Sequence, residues 1–181
     1  GDFLPHFTAV LSPFQGQSHI RAASACDKIV NRAWKWIGEC LREGKKITEY
    51  DAQQKIVEDF AHFKLITDHS PIVAVNAHSA DPHYEPLPTK SSPIQKGDFI
   101  LIDLWAKEEG EGTVFGDITR VGVAAEHPSE KQREIFAIVR KAQKAGVKLV
   151  KDRFGAGKRI EGWEVDFAVR SVIEQAGFGK F

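Results

Sequence analysis

From about Ser18 to Glu43, apolar residues recur near helical spacing at Ile20, Ala23, Ile29, Val30, Ala33, Trp34, Ile37 and Leu41, with Gly44 as a stop. This predicts a long amphipathic helix. Thr48 can cap a second one, running to about Phe63, with Asp51 in its first turn, where a carboxylate suits the dipole. The period then changes. Pro71 to Asn76 is the short apolar run of a buried strand, and a polar, proline-rich loop follows from about Ala77 to Lys96. Phe99 to Trp105 and Val114 to Val123 read as two further strands, joined by a loop holding Glu109, Gly110, Glu111 and Gly112. Pro128-Ser129-Glu130 opens a third helix to about Phe154, stopped by Gly155 and Gly157. A fourth runs from Trp163 to Ala176 and closes at Gly177 and Gly179. Residues 1–17, with Pro5, Pro13 and two glycines, read as an extended lead-in. Residues 18–181 then form one α-α-β-β-β-α-α unit, an α+β arrangement with helices covering one face of a mostly antiparallel sheet.

The central hairpin carries the most informative chemistry. Centred near Gly110, it pairs residues whose numbers sum to about 220, which sets Asp103 across from Asp117 with both side chains on one face, roughly 5 Å apart at Cβ. Phe99, Leu101, Trp105, Phe115, Thr119 and Val121 share that face, so the carboxylates are expected in mostly apolar surroundings. Two like charges there repel and lose hydration, so either one takes a proton or a cation lies between them. Hard divalent ions favour carboxylate oxygens, and metal pairs about 3.5–4 Å apart suit bridging carboxylates. The competing reading is structural, with the aspartates bonded to Thr119, to backbone amides or to an arginine. Arg120 is the nearest arginine, but alternation points it to the other face from Asp117.

Composition narrows the class. At 181 residues, 42% apolar and 28% charged, the chain is an ordinary globular one. Its formal charge is zero, which leaves no global field to draw nucleic acid or an anionic membrane. No run approaches the roughly 20 apolar residues of a membrane span, and a cytoplasmic location is expected. Cys26 and Cys40 fall on one helix roughly 21 Å apart, too far for a mutual disulfide. The absence of methionine suggests a processed or excised piece.

With these landmarks placed, the chain from about Ile20 onward closely resembles the pita-bread metallopeptidases, a family that includes Xaa-Pro aminopeptidases, prolidases, methionine aminopeptidases and creatinase. The resemblance rests on Thr48-Glu49-Tyr50-Asp51, Val73-Ala74-Val75-Asn76, Pro82-His83-Tyr84, Lys96-Gly97-Asp98 with Leu101-Ile102-Asp103, and Asp117-Ile118-Thr119-Arg120, in that order. Glu164-Val165-Asp166, Arg170 and Ala176–Gly179 resemble the helix that leads to the family's next catalytic segment, and the Pro-His-Tyr element leans towards the Xaa-Pro aminopeptidase and prolidase branch.

The resemblance implies a partial pita-bread (creatinase/aminopeptidase-like) fold. It implies a metallo-aminopeptidase acting on a peptide substrate, with two divalent ions drawn from Mn, Co, Zn or Fe. Asp103 would chelate one ion and Asp117 bridge both, Thr119 would orient the Asp117 carboxylate, and His83 would contact substrate and assist the tetrahedral intermediate. A metal-activated water attacks the carbonyl of the bond preceding proline in such enzymes. The chain departs from the pattern in the longer tip at Glu108 to Thr113 and in the family's other ligands, one histidine and two glutamates, expected beyond Phe181. The chain alone is therefore expected to bind metal weakly, to be inactive, and to self-associate as a homo-oligomer through an exposed edge. A non-catalytic peptide-binding module and a creatinase-like hydrolase are the alternatives. His78 is expected mainly at the surface, and His62, His69 and His127 in structural roles.

Overall fold

In the computed structural model, which describes residues 10–180, helix α1 (Pro13–Arg42) begins five residues before the expected start at Ser18. The reason is local. Ser12 and Gln15 form a reciprocal capping box, with Gln15 N donating to Ser12 Oγ at 3.2 Å and Ser12 N to Gln15 Oε1 at 2.8 Å. Pro13 then occupies a first-turn position that needs no N–H. Residues 13–17 are thus helical rather than extended; the rest of the expected lead-in, residues 1–9, lies outside the described residues. Gly44, at φ +71°, ends the helix, and the next residue, Lys45, donates to Cys40 O at 2.9 Å. The buried stripe is Ala22, Cys26, Ile29, Val30, Ala33, Ile37 and Cys40, whereas Ile20 is exposed. Both cysteines are free and buried.

Helix α2 (Glu49–His62) starts on a second capping box, between Thr48 and Asp51. It is tied to α1 by the guanidinium of Arg32, which holds the buried Asp59 carboxylate at 2.9 and 3.0 Å. Strands β1 (Leu65–Ile66), β2 (Ile72–Val75), β3 (Phe99–Glu108) and β4 (Gly116–Val123) follow, all paired antiparallel to β3. The two-residue β1 is an addition to the expected order. It is too short to show a period. Along β3, Ile100, Ile102, Leu104 and Ala106 are wholly buried against the helices, and Val73 and Val75 of β2 join the same core. Each fully buried Ile or Leu contributes roughly 1.5–3 kcal/mol. The odd-numbered β3 residues are only half-buried, so strict alternation separates a core face from an accessible one.

The chain divides into two compact units, the second beginning at His127. That unit is a helical hairpin of α3 (Glu130–Gly155) and α4 (Gly162–Gln175). Gly146 lets the pair approach closely, since a Cβ there would meet Val169 Cγ2 at 2.8 Å. Arg153 also pairs with Glu164. Among the described residues no helix is long and apolar enough to cross a membrane.

Candidate functional site

β3 and β4 pair with Asp103 across from Thr119 and Trp105 across from Asp117, so opposed numbers sum to 222 rather than 220. The tip is asymmetric. Thr113 donates to Glu108 O and Gly110 O, each at 2.8 Å, and this folds the Gly110–Gly112 segment into an uneven turn. A two-residue shift preserves parity, so Asp103 and Asp117 still share a face, now as diagonal neighbours with Cβ atoms roughly 7 Å apart.

Thr119 consequently serves Asp103 rather than Asp117, its hydroxyl donating to Asp103 Oδ1 at 2.6 Å. Arg120 points to the opposite face, where it lies 3.4 Å from Asp27 on α1. The carboxylates are less enclosed than expected: Asp103 is half-buried and Asp117 exposed, because the helices cover the other face of the hairpin. The Asp117 carboxyl is nevertheless raised above its ordinary range, first by desolvation and then by the charge of Asp103.

These residues fit part of a metal centre. Two hard oxygen donors lie on one face, one oriented by a hydroxyl, and the nearby Lys107 ammonium sits over the Phe115 ring at 5.2 Å. Among the described residues no group of three or more His, Cys, Asp or Glu side chains could hold an ion. Among the described residues, the chain therefore presents two carboxylates on one face rather than a closed metal site. If they serve that role, Thr119→Val is expected to lower metal affinity about 10- to 100-fold, measurable by isothermal titration with Mn²⁺.

Beside the pair lies a cleft of about 520 Å³ whose lining includes Ile72, Trp105, His83 and Tyr84. Ile72 and Trp105 are the direct cross-strand partners of Asp103 and Asp117, so the cleft adjoins the carboxylates along the sheet. His83 enters on a tight turn in which its N–H donates to Asp81 Oδ1 at 2.9 Å and Tyr84 N donates to Asp81 O at 3.1 Å. Trp105 is a cleft wall, its indole N–H donating to Asp68 at 2.7 Å, and this bond holds the Asp68 carboxyl below its usual range. His69 lines the same cleft, with its ring 6.5 Å from that of Trp105.

One residue with no role expected from the sequence stands out. Glu49, at the first position of α2, is fully buried and accepts from Val75 N at 2.7 Å, Tyr84 Oη at 2.5 Å and Ser92 N at 2.6 Å. His78 Nδ1 lies 2.9 and 3.2 Å from its two oxygens, so His78 is a half-exposed partner of Glu49 rather than a solvated surface histidine. Its partners lie 26 to 43 positions away, where no local period can reveal them.

Comparison with known proteins agrees with this geometry. Residues 17–181 match the model of metallopeptidase family M24. The Xaa-Pro dipeptidase of Pyrococcus horikoshii is 32% identical over 165 residues, 89% of this chain and 41% of that protein. Prolidase from Pyrococcus furiosus superposes with a TM-score of 0.74 at 25% identity, over 99% of this chain and 48% of that one. X-prolyl aminopeptidase from Caenorhabditis elegans, described as a cytosolic enzyme with a di-nuclear active site, gives a TM-score of 0.67 at 24% identity over 89% and 25% of the two chains, a likeness of fold alone. The chain spans less than half the length of each of these relatives. With residues 17–181 matched and the α+β hairpin architecture shared with prolidase, the chain belongs to the pita-bread peptidases of metallopeptidase family M24.

Proposed function

We propose that this chain forms part of the catalytic domain of a metal-dependent peptidase that cleaves the amino-terminal peptide bond preceding proline, as an Xaa-Pro dipeptidase or aminopeptidase does. The observation that carries this reading is the cleft bearing His83, which is lined by the cross-strand partners of Asp103 and Asp117. In this reading Asp103 and Asp117 hold divalent ions, with Mn²⁺ the first choice to test. When bound, such ions supply Lewis-acid polarisation of the scissile carbonyl and an activated water at neutral pH.

The chain's own residues do the rest. Thr119 fixes the Asp103 carboxylate through Oδ1, which would leave its other oxygen available to an ion. Trp105, pinned by Asp68, offers an apolar wall to a substrate ring. His83 hydrogen-bonds the substrate beside the reacting carbonyl and steadies the oxyanion as it develops. Titrating the encoded full-length protein with Mn²⁺ or Co²⁺ while following proline release from an Xaa-Pro dipeptide tests this. Metal-dependent release that EDTA removes is expected; no hydrolysis with any of Mn²⁺, Co²⁺, Zn²⁺ or Fe²⁺ overturns it. A cytoplasmic location and a homo-oligomer complete the proposal. Light scattering of this chain should give a mass above 20.2 kDa that rises with concentration, and a strict monomer would remove the oligomer from the reading.

A further inference from the structure

We infer that Glu49 is a positioning residue for His83, acting through Tyr84 and His78 to hold the Pro82–Tyr84 turn at the edge of the cleft. The inference rests on the reading of that cleft as the substrate site. Glu49 reaches the turn from a different element, the amino terminus of α2, and its carboxylate has no exposed surface. An ionised carboxylate offers about four acceptor sites. Here Val75 N and His78 Nδ1 meet Oε1 at 2.7 and 2.9 Å, while Tyr84 Oη and Ser92 N meet Oε2 at 2.5 and 2.6 Å. One buried group thus ties together the end of β2, the 3-10 turn Asn76–Ala80, the cleft turn and the loop before Ile94.

His83 lies between the two side chains that this carboxylate clamps. The His78 and Tyr84 rings stack with centroids 4.3 Å apart and an interplanar angle of 26°, so the segment is closed on itself before and after His83. The Tyr84 phenol is pushed well above its ordinary range, first by burial and then by its bond to Glu49, which keeps the hydroxyl protonated and donating. The backbone alone does not supply this fixation. The hydrogen bonds within the turn itself are the two to Asp81, both local, whereas the side chains of Tyr84 and His78 both reach across to Glu49. A buried polar network that is fully satisfied specifies one arrangement, because any alternative strands a desolvated donor.

Two variants test this in the encoded full-length protein with Mn²⁺ and an Xaa-Pro dipeptide. Tyr84→Phe deletes one donor to Glu49 and keeps the ring stacked on His78; Glu49→Gln keeps the size and replaces an acceptor oxygen with a donor. Each is made alone and on a His83→Ala background. Tyr84→Phe is expected to lower kcat about tenfold with the Mn²⁺ concentration for half activation unchanged, and to cost less than about twofold once His83 is gone. An equal loss in both backgrounds, or no loss in either, overturns the inference. Amide hydrogen exchange supplies a readout without catalysis. In Tyr84→Phe the His83 and Tyr84 amides should exchange about tenfold faster while those of Ile100 to Leu104 stay protected. Unchanged exchange at His83 overturns the inference as well. If the parent protein shows no hydrolysis, the peptidase reading fails, and the exchange measurement still decides whether Glu49 holds the turn.

Discussion

Replacing Asp117 by alanine is expected to lower kcat/KM of the encoded full-length protein about a thousandfold or more, with Asp103→Ala close behind. The reasoning is electrostatic. Metal polarisation of a carbonyl is worth several kcal/mol of transition-state stabilisation, and each 1.36 kcal/mol is tenfold in rate. If the two carboxylates act on one metal centre, as proposed, the double variant should lose little more than either single one. Steady-state kinetics on an Xaa-Pro dipeptide at saturating Mn²⁺ checks this. Residual metal-dependent activity above about one tenth would remove these aspartates from the metal centre.

The same residue carries a counterpart in metal-free protein, where the sign reverses. Desolvation and the neighbouring Asp103 raise the Asp117 proton affinity in the folded state above its unfolded value. Protonation therefore favours folding below the unfolded pKa, and that contribution is lost as pH rises through the folded value. At neutral pH ionised Asp117 is thus a liability to the apo fold. Asp117→Asn is expected to raise the melting temperature at pH 7 and leave it unchanged near pH 3, and EDTA-treated scans across that range would show it. An Asn variant that is less stable at pH 7 would mean that another group already neutralises the pair.

Gly116→Ala is the second substitution with a large expected effect, although it adds a single methyl. Built onto this backbone, the Cβ would lie 2.4 Å from Ala23 N and 2.6 Å from both Ala22 C and Ala23 Cα. These are backbone atoms of α1, and no side-chain rotation relieves them. Either β4 lifts off the helix or α1 shifts, and overpacking of this kind costs about 3 kcal/mol or more. The damage reaches the candidate centre directly, because Asp117 is the next residue and Cys26 Sγ donates to the Gly116 carbonyl at 3.6 Å. A urea unfolding midpoint should fall by more than about 1 M at a typical slope of 1–3 kcal/mol per molar. At the far end of β4, the three atoms nearest a Cβ on Gly122 would all belong to the Trp34 ring, at 3.0–3.4 Å, a side chain rather than backbone. Gly122→Ala should therefore be the milder control. Equal effects at the two positions would show that helix backbone proximity is not the cause.

Much of this architecture was legible along the chain. Thr48 with Asp51, Ser129 with the following helix, and Gly44, Gly157 and Gly177 at φ of +71°, +63° and +86° are local signals, and helix ends follow local chemistry. The start of α1 was misplaced because Pro13 and Gly16 suggest a loop, yet proline is at home in a first turn. The hairpin register was wrong by two in its sum because it depends on the asymmetric tip at Gly110 to Thr113. A shift of two keeps parity, so the shared face of Asp103 and Asp117 survived the error. A shift of one would have destroyed it.

By itself the sequence determined the main helices and strands, the family and the shared face of Asp103 and Asp117, since periodicity, capping and parity act over a few residues. Only the tertiary structure decided that Thr119 bonds Asp103 rather than Asp117, that Trp105 and Ile72 carry the cleft alongside the carboxylates, and that Glu49 gathers Val75, His78, Tyr84 and Ser92. Those contacts join residues 16 to 43 positions apart. Their partners are selected by which buried polar groups must find one another once the apolar faces have closed, and no local pattern encodes that choice.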